Sequence, residues 1–189
     1  MHYRLILGMV LAGMLGTAAA ADRIENLANT CNNCHGARGV SSGPTMPSIG
    51  GQPEGYLKKV MLEWKSGARY SATMGRLLKG YADEDIAALA AYFARQPWTP
   101  VAQNSDAALV KAGKEVAVRC AGCHGDSGTA NDGETPALSG QWSGYMALEL
   151  LKYRDDSTGM PEKKMAKAVK KLSEEELRAV TAFFASQNK

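Results

Sequence analysis

Apolar residues recur at helical spacing near the end of each half of the chain. Between positions 83 and 94 they occupy i, i+3, i+4 and i+7 of one helical face: Ile86, Leu89, Ala90 and Phe93. The stripe returns between 174 and 185 with Leu177, Val180 and Phe184. Ser173 and Glu176 have the spacing of a capping box, which predicts where this second helix starts. Each half therefore ends in an amphipathic helix.

Two further helices are predicted in each half. The stretches EGYLKKVMLEWKSG (54–67) and SGYMALELLKYRDD (143–156) form one pair. Shorter helices are expected over 23–29 and, after a Ser105 cap, over 106–119. Loops rich in Gly, Ser and Pro separate these segments, and no convincing strand alternation occurs. The pattern predicts an all-α protein.

The chain is a tandem duplication. At an offset of 89 residues, CNNCHG from Cys31 meets CAGCHG from Cys120, and PSIGGQPEGY from Pro47 meets PALSGQWSGY from Pro136. The offset then grows to 91 because the second copy carries two extra residues near 157–161. We predict domains over 22–97 and 104–189 joined by a linker at 98–103. Each copy has under 90 residues and little core of its own, so a bound group must fill its middle.

Residues 1–20 have the features of a signal peptide: a basic start, a short apolar run and small residues before the cleavage point. Cleavage after Ala20 and after Ala21 are equally plausible. The alternative is a transmembrane anchor, but the run falls short of the ~20 apolar residues that a span needs. The sequence therefore predicts a periplasmic protein with no membrane span after cleavage. The net charge of +3 for the whole chain argues against a nucleic-acid partner.

Outside the leader, every cysteine and histidine belongs to one of two C-x-x-C-H motifs. These are Cys31, Cys34 and His35 in the first copy, and Cys120, Cys123 and His124 in the second. The motif is the attachment signature of haem c: two thiols on one helical turn reach the two vinyl groups, and the histidine lies beneath the iron. Redox-active disulfides, a single zinc site built from all four cysteines, and two structural disulfides are the alternatives. Redox-active disulfides normally lie in a strand–helix context, which is absent here. A shared zinc site leaves the two histidines unexplained, and a disulfide across two intervening residues closes almost no loop.

Comparison of the two copies indicates which methionine binds each iron opposite the histidine. Six methionines lie outside the leader. Only Met74 and Met165 occupy corresponding positions, each seven residues before a bulky side chain that leads into the last helix. When the two copies are aligned, Met46, Met61 and Met146 each correspond to a residue other than methionine. A methionine that is not repeated is more often a core residue than an iron ligand. Met160 lies in the insertion and is the reserve candidate for the second copy. Five lysines lie within seven residues of Met165 in the sequence: Lys163, Lys164, Lys167, Lys170 and Lys171. We expect them to form a rim that docks an acidic partner, and the alternative is a solvent-exposed helix face.

Pro47 and Pro136 precede equivalent loops. A backbone carbonyl in such a loop can accept the ring N–H of the axial histidine and so fix its tautomer. A simple turn proline explains the spacing equally well, and the residues alone do not choose between the two.

With these motifs, the late methionines and the segments DEDIAALAAYFA and ELRAVTAFFA, the chain resembles tandem class I cytochromes c of the periplasmic dihaem c4 type. The resemblance implies two covalently bound haem c groups in domains related by a pseudo-twofold axis. It also implies Met74 and Met165 as iron ligands and Pro47 and Pro136 as histidine-orienting positions.

At finer detail, TMGRLLKGYADEDI and MPEKKMAKAVKKL resemble the cytochrome subunit of flavocytochrome c sulfide dehydrogenase. That resemblance implies a non-catalytic electron-accepting subunit with an FAD-containing partner that oxidises sulfide. A free shuttle between respiratory partners, ending at a terminal oxidase, is the alternative. Neither role requires a catalytic residue from this chain.

Overall fold

The computed structural model describes residues 23–129, 132–155 and 159–188. Within these ranges the chain is helical and contains no strand, which confirms the all-α prediction. No helix among them combines the length and hydropathy needed to cross a membrane. The predicted signal peptide and cleavage site lie outside the described residues, as does part of the predicted insertion.

The first half, described from residue 23 onward, contains four helices. Helix α1 covers 23–35, α2 Glu54–Ser66, α3 Met74–Leu77 and α4 Asp83–Ala94. Short 3-10 turns follow α1 at Ala37–Gly39 and α3 at Leu78–Gly80. The prediction that the first helix ends at 29 is wrong, because α1 continues through the whole first C-x-x-C-H motif.

The described part of the second half contains five helices: α5 Ala107–Ala117, α6 Ala121–His124, α7 Ser143–Asp155, α8 Lys163–Val169 and α9 Glu174–Ala185. The predicted helix over 106–119 is shorter and is capped by Asp106 rather than Ser105. The Asp106 carboxylate accepts the N–H groups of Ala108 at 2.7 Å and Leu109 at 3.1 Å. The predicted capping box of Ser173 and Glu176 is confirmed, with both reciprocal hydrogen bonds present.

Each half has its own apolar cluster, built around its last helix. In the first half the cluster joins α1, α2 and α4 through Ala28, Leu57, Leu89, Ala90 and Phe93. In the second half α9 packs on α5 and α7, and its buried cluster includes Val116, Met146, Val180, Phe183 and Phe184. Both predicted stripes therefore face a core.

Helices α5 and α9 approach unusually closely at Gly113. A Cβ atom added at this glycine would lie 1.9 Å from the carbonyl oxygen of Ala179. Only a residue without a side chain allows the two backbones this separation. The glycine therefore fixes the distance between the first and last helices of the second half.

The predicted linker is packed against both halves rather than extended into solvent. The indole N–H of Trp98 donates to the carbonyl of Ser139 at 2.9 Å, and Val101 N–H donates to the carbonyl of Gly140 at 2.8 Å. Gly51 of the first half lies against the Trp98 backbone, where a Cβ would come within 2.4 Å of its nitrogen. The linker thus helps to hold the loop before α7.

Candidate haem-binding sites

The loop after the first C-x-x-C-H motif folds back onto its histidine. Gly36 ends α1 with a φ of 75°, and Gly39, at a φ of 76°, accepts the N–H groups of Ile49 and Gly50 at 2.8 and 3.1 Å. These bonds bring Pro47 beside His35, whose Nδ1 lies 2.9 Å from the Pro47 carbonyl oxygen.

The second half repeats this arrangement. Gly125 ends α6 with a φ of 73°, and Gly128 accepts the N–H groups of Leu138 and Ser139 at 2.8 and 3.2 Å. His124 Nδ1 then lies 3.2 Å from the carbonyl oxygen of Pro136. Each pair of bonds corresponds to its counterpart at the offset of 89 residues, so the duplication extends to backbone geometry.

The carbonyl partners define the state of both histidines. A carbonyl oxygen only accepts, so Nδ1 must carry the proton and donate it, which leaves the Nε2 lone pair free for a metal. Both residues are 7% exposed. Burial lowers the pKa of His35 and of His124 below the ordinary value, and the carbonyl contact opposes this shift only in part. Both rings are therefore held neutral, the form that ligates iron.

The four cysteines form two equivalent pairs, and no disulfide joins them. Cys31 and Cys120 are half-buried against the apolar clusters of their halves, and burial raises the pKa of both thiols. Cys34 and Cys123 are exposed. The first pair lies on the last turn of α1. The second lies on a tightened turn, where Cys120 N–H donates to the Ala117 carbonyl at 2.8 Å before α6 begins.

Met74 and Met165 lie on the short helices α3 and α8, which correspond in the repeat. Helix α3 packs against α2, and α8 packs against α7, the counterpart of α2 in the repeat. Both methionines are half-buried. Met165 packs against the same apolar cluster as Cys120, whereas the sulfur of Met160 lies 4.0 Å from the guanidinium of Arg69 in the other half.

The donor set at each site suits a haem c. A closely spaced pair of thiols, a buried neutral imidazole with Nε2 available and a soft thioether later in the same half are the groups that this cofactor requires. In each half the thiol nearest the core already lies beside the apolar cluster that would contact a porphyrin. The residues present therefore fit the cofactor.

Sequence reasoning assigned no role to two glutamines that join the halves. Gln52 and Gln141 are 4% and 2% exposed, and each side chain bonds to the backbone of the opposite half. Their identity across the repeat was visible in the sequence, but nothing there placed them at an interface. Tyr56 and Tyr145, another repeated pair, are half-buried at the same interface, and burial raises the pKa of both phenols.

Arg69 is a buried cation at this interface, with a side chain only 6% exposed. Its Nε lies 2.9 Å from the Glu63 carboxylate, and one terminal nitrogen lies 3.3 Å from the Tyr153 hydroxyl. The guanidinium also lies 5.9 Å from the centre of the Tyr153 ring. The repeat has no second arginine here, since Thr158, Gly159 and Met160 occupy the corresponding positions.

Known proteins match this chain in sequence and in fold. The family model described as cytochrome c matches residues 110–188. Cytochrome c4 of Pseudomonas aeruginosa is 35% identical over 95% of this chain and 94% of its own length. The crystal structure of reduced recombinant cytochrome c4 from Pseudomonas stutzeri superposes with a TM-score of 0.80 at 28% identity, over 89% of this chain and 98% of that one.

The finer resemblance has narrower support. The cytochrome subunit of sulfide dehydrogenase from Chlorobaculum tepidum is 42% identical, but over 53 residues that cover 28% of this chain and 48% of that subunit. The similarity is local, in contrast to the full-length match to cytochrome c4.

The fold and the repeated sites define a tandem dihaem class I cytochrome c, an electron carrier with two covalently bound haem c groups. Within that class, the chain belongs to the cytochrome c4 family.

Proposed function

We propose that this protein is a free periplasmic carrier that takes electrons from one respiratory partner and delivers them to another, such as a terminal oxidase. The observation that carries the electron-carrying role is the repeated pairing of a C-x-x-C-H histidine with a proline carbonyl in both halves. Two equivalent sites with a shared, buried interface suit a relay within one chain. The full-length similarity to cytochrome c4 supports the free form.

In this proposal, Cys31 and Cys34 form thioethers with one haem, and Cys120 and Cys123 with the other. Each haem, when bound, supplies a one-electron couple. His35 and His124 ligate iron through Nε2, and the carbonyls of Pro47 and Pro136 hold the two rings in place.

Met74 and Met165 are the proposed second ligands. The short helices α3 and α8 pack on α2 and α7 and so hold each methionine against a longer helix of its half. Met160 is a weaker candidate, because its sulfur is engaged with Arg69 at the interface.

The ligand assignment is tested with volume-conserving substitutions. Met74→Leu and Met165→Leu should each convert one of the two haems to a high-spin form, measured by electron paramagnetic resonance of the oxidised holoprotein. Met61→Leu and Met160→Leu are the matched controls, and both should keep two low-spin haems. A high-spin signal from Met160→Leu but not from Met165→Leu would reverse the assignment in the second half.

The carrier role is tested with the purified holoprotein. It should purify without a flavoprotein, accept electrons from a quinol-oxidising membrane fraction and be reoxidised by a fraction that contains the terminal oxidase. Stable copurification with a flavoprotein would contradict a free carrier.

The electron-accepting subunit of a sulfide-oxidising flavoenzyme is the second candidate. The local match to the Chlorobaculum tepidum subunit favours it. In that case sulfide should reduce this cytochrome only in the presence of the FAD-containing partner, and rapid-mixing absorbance with and without that partner distinguishes the two roles.

A further inference from the structure

The peptide unit between Pro47 and Ser48 makes a hydrogen bond at each of its polar atoms. Its carbonyl oxygen lies 2.9 Å from His35 Nδ1 in the same half. Its N–H donates to Gln141 Oε1, in the other half, at 3.0 Å. One planar amide therefore connects a proposed iron ligand to a side chain across the interface.

The same connection exists in the opposite direction. The carbonyl of the Pro136–Ala137 peptide lies 3.2 Å from His124 Nδ1, and its N–H donates to Gln52 Oε1 at 2.9 Å. Ser48 and Ala137 are equivalent in the repeat, as are the two glutamines. The two connections are thus crossed and reciprocal.

Each glutamine is fixed by a second hydrogen bond. Gln141 Nε2 donates to the Ser48 carbonyl at 2.9 Å, and Gln52 Nε2 donates to the Ala137 carbonyl at 2.9 Å. The amides therefore cannot rotate without breaking both bonds, and their orientation follows from their partners. Ser48 is 3% exposed, so solvent does not replace the contact.

We propose that Gln52 and Gln141 are crossed positioning residues, each of which adjusts the iron ligand of the opposite half. Resonance couples the two ends of an amide, so an acceptor at its N–H makes its carbonyl a stronger acceptor. A stronger acceptor at Nδ1–H makes the imidazole a more electron-rich ligand, which favours oxidised iron. The inference rests on the proposed role of His35 and His124 as axial ligands, and it implies that the two redox centres are coupled through hydrogen bonds.

The test uses mirror-image variants of the holoprotein, Gln141→Leu and Gln52→Leu. Redox titration, with each centre assigned by the NMR resonances of its haem methyl groups, should show a crossed pattern. Gln141→Leu should raise the reduction potential of the N-terminal centre more than that of the C-terminal one, and Gln52→Leu should do the reverse. Gln96→Leu is the control, because the Gln96 side chain donates to the Tyr92 carbonyl within its own half, and it should shift neither centre selectively.

Gln141→Glu separates polarisation from a loosened interface. The carboxylate keeps an acceptor for Ser48 N–H and adds negative charge, so the N-terminal potential should fall rather than rise. Hydrogen exchange at His35 Nδ1–H should be faster in Gln141→Leu than in the wild type. Shifts of the same sign in the Leu and Glu variants, or shifts confined to the mutated half, would overturn the proposal. Should Gln141→Leu fail to mature, Gln52→Leu with Gln52→Glu makes the same test.

This outcome is distinct from failure of the proposed function. If the wild-type holoprotein lacked two low-spin haems with histidine ligands, the ligand assignment itself would be wrong. If both haems are intact and the shifts are not crossed, only the glutamine proposal fails.

Discussion

Replacing Gly113 with alanine should destabilise the second half, although alanine is the better helix former. The added Cβ would lie 1.9 Å from the Ala179 carbonyl oxygen, a distance that real Cβ atoms do not reach. Because the obstructing atom is backbone, the clash is relieved only if α5 and α9 move apart by roughly 1 Å. A gap of that size forfeits about a quarter to a half of the dispersion energy of each contact between them.

The expected magnitude follows from two opposing terms. Overpacking against a rigid partner costs up to about 3 kcal/mol, and the exchange of glycine for alanine within a helix returns about 1 kcal/mol. The free energy of unfolding should therefore fall by about 2 kcal/mol, which corresponds to a decrease in Tm of about 4–8 °C for a chain of this size. Guanidinium unfolding of the oxidised holoprotein, followed by far-ultraviolet circular dichroism, measures the change.

Ala112→Gly provides the matched control, because Ala112 is the exposed neighbour on the same helix. It should cost about 1 kcal/mol through helix propensity alone. If Gly113→Ala were as stable as the wild type while Ala112→Gly showed its expected loss, the close approach of α5 and α9 would not constrain the fold.

Three further predictions concern the last helix, the interface and the docking surface. Ser173→Ala removes the capping box of α9 and should lower the free energy of unfolding by about 1 kcal/mol in the same denaturation assay. Arg69→Leu leaves the carboxylate of Glu63 unpaired and should cost about 3 kcal/mol, whereas the double variant with Glu63→Leu should recover a large part of that loss in a double-mutant cycle. Lys167→Glu combined with Lys170→Glu should slow electron transfer to an acidic partner and reduce its dependence on ionic strength, as followed by stopped-flow absorbance; an unchanged salt dependence would contradict the docking role.

The duplicated sites could be predicted from the sequence because their chemistry is local. The order C-x-x-C-H places two thiols and an imidazole on one turn whatever the rest of the chain does, and the spacing of apolar positions indicated both closing helices. The capping box of Ser173 was equally readable, since its donor and acceptor are three residues apart. The extent of α1 could not be predicted from the sequence, because its continuation to residue 35 depends on packing against α2 and α4 through residues such as Ala28.

Contacts between distant residues were decided only by the tertiary structure. The role of Pro47 stayed open in the sequence, because a carbonyl near a loop reveals its acceptor role only once the glycine turns bring it to His35. The sequence showed Gln52 and Gln141 as a repeated pair. It did not show that they join the two halves, since their hydrogen-bond partners lie 85 and 93 residues away. Sequence spacing thus set the chemistry that each half can perform. How the two halves pack together depends on the interface, where a polar side chain can be buried only if the backbone of the opposite half provides its hydrogen bonds. Only the tertiary structure shows where those partners lie.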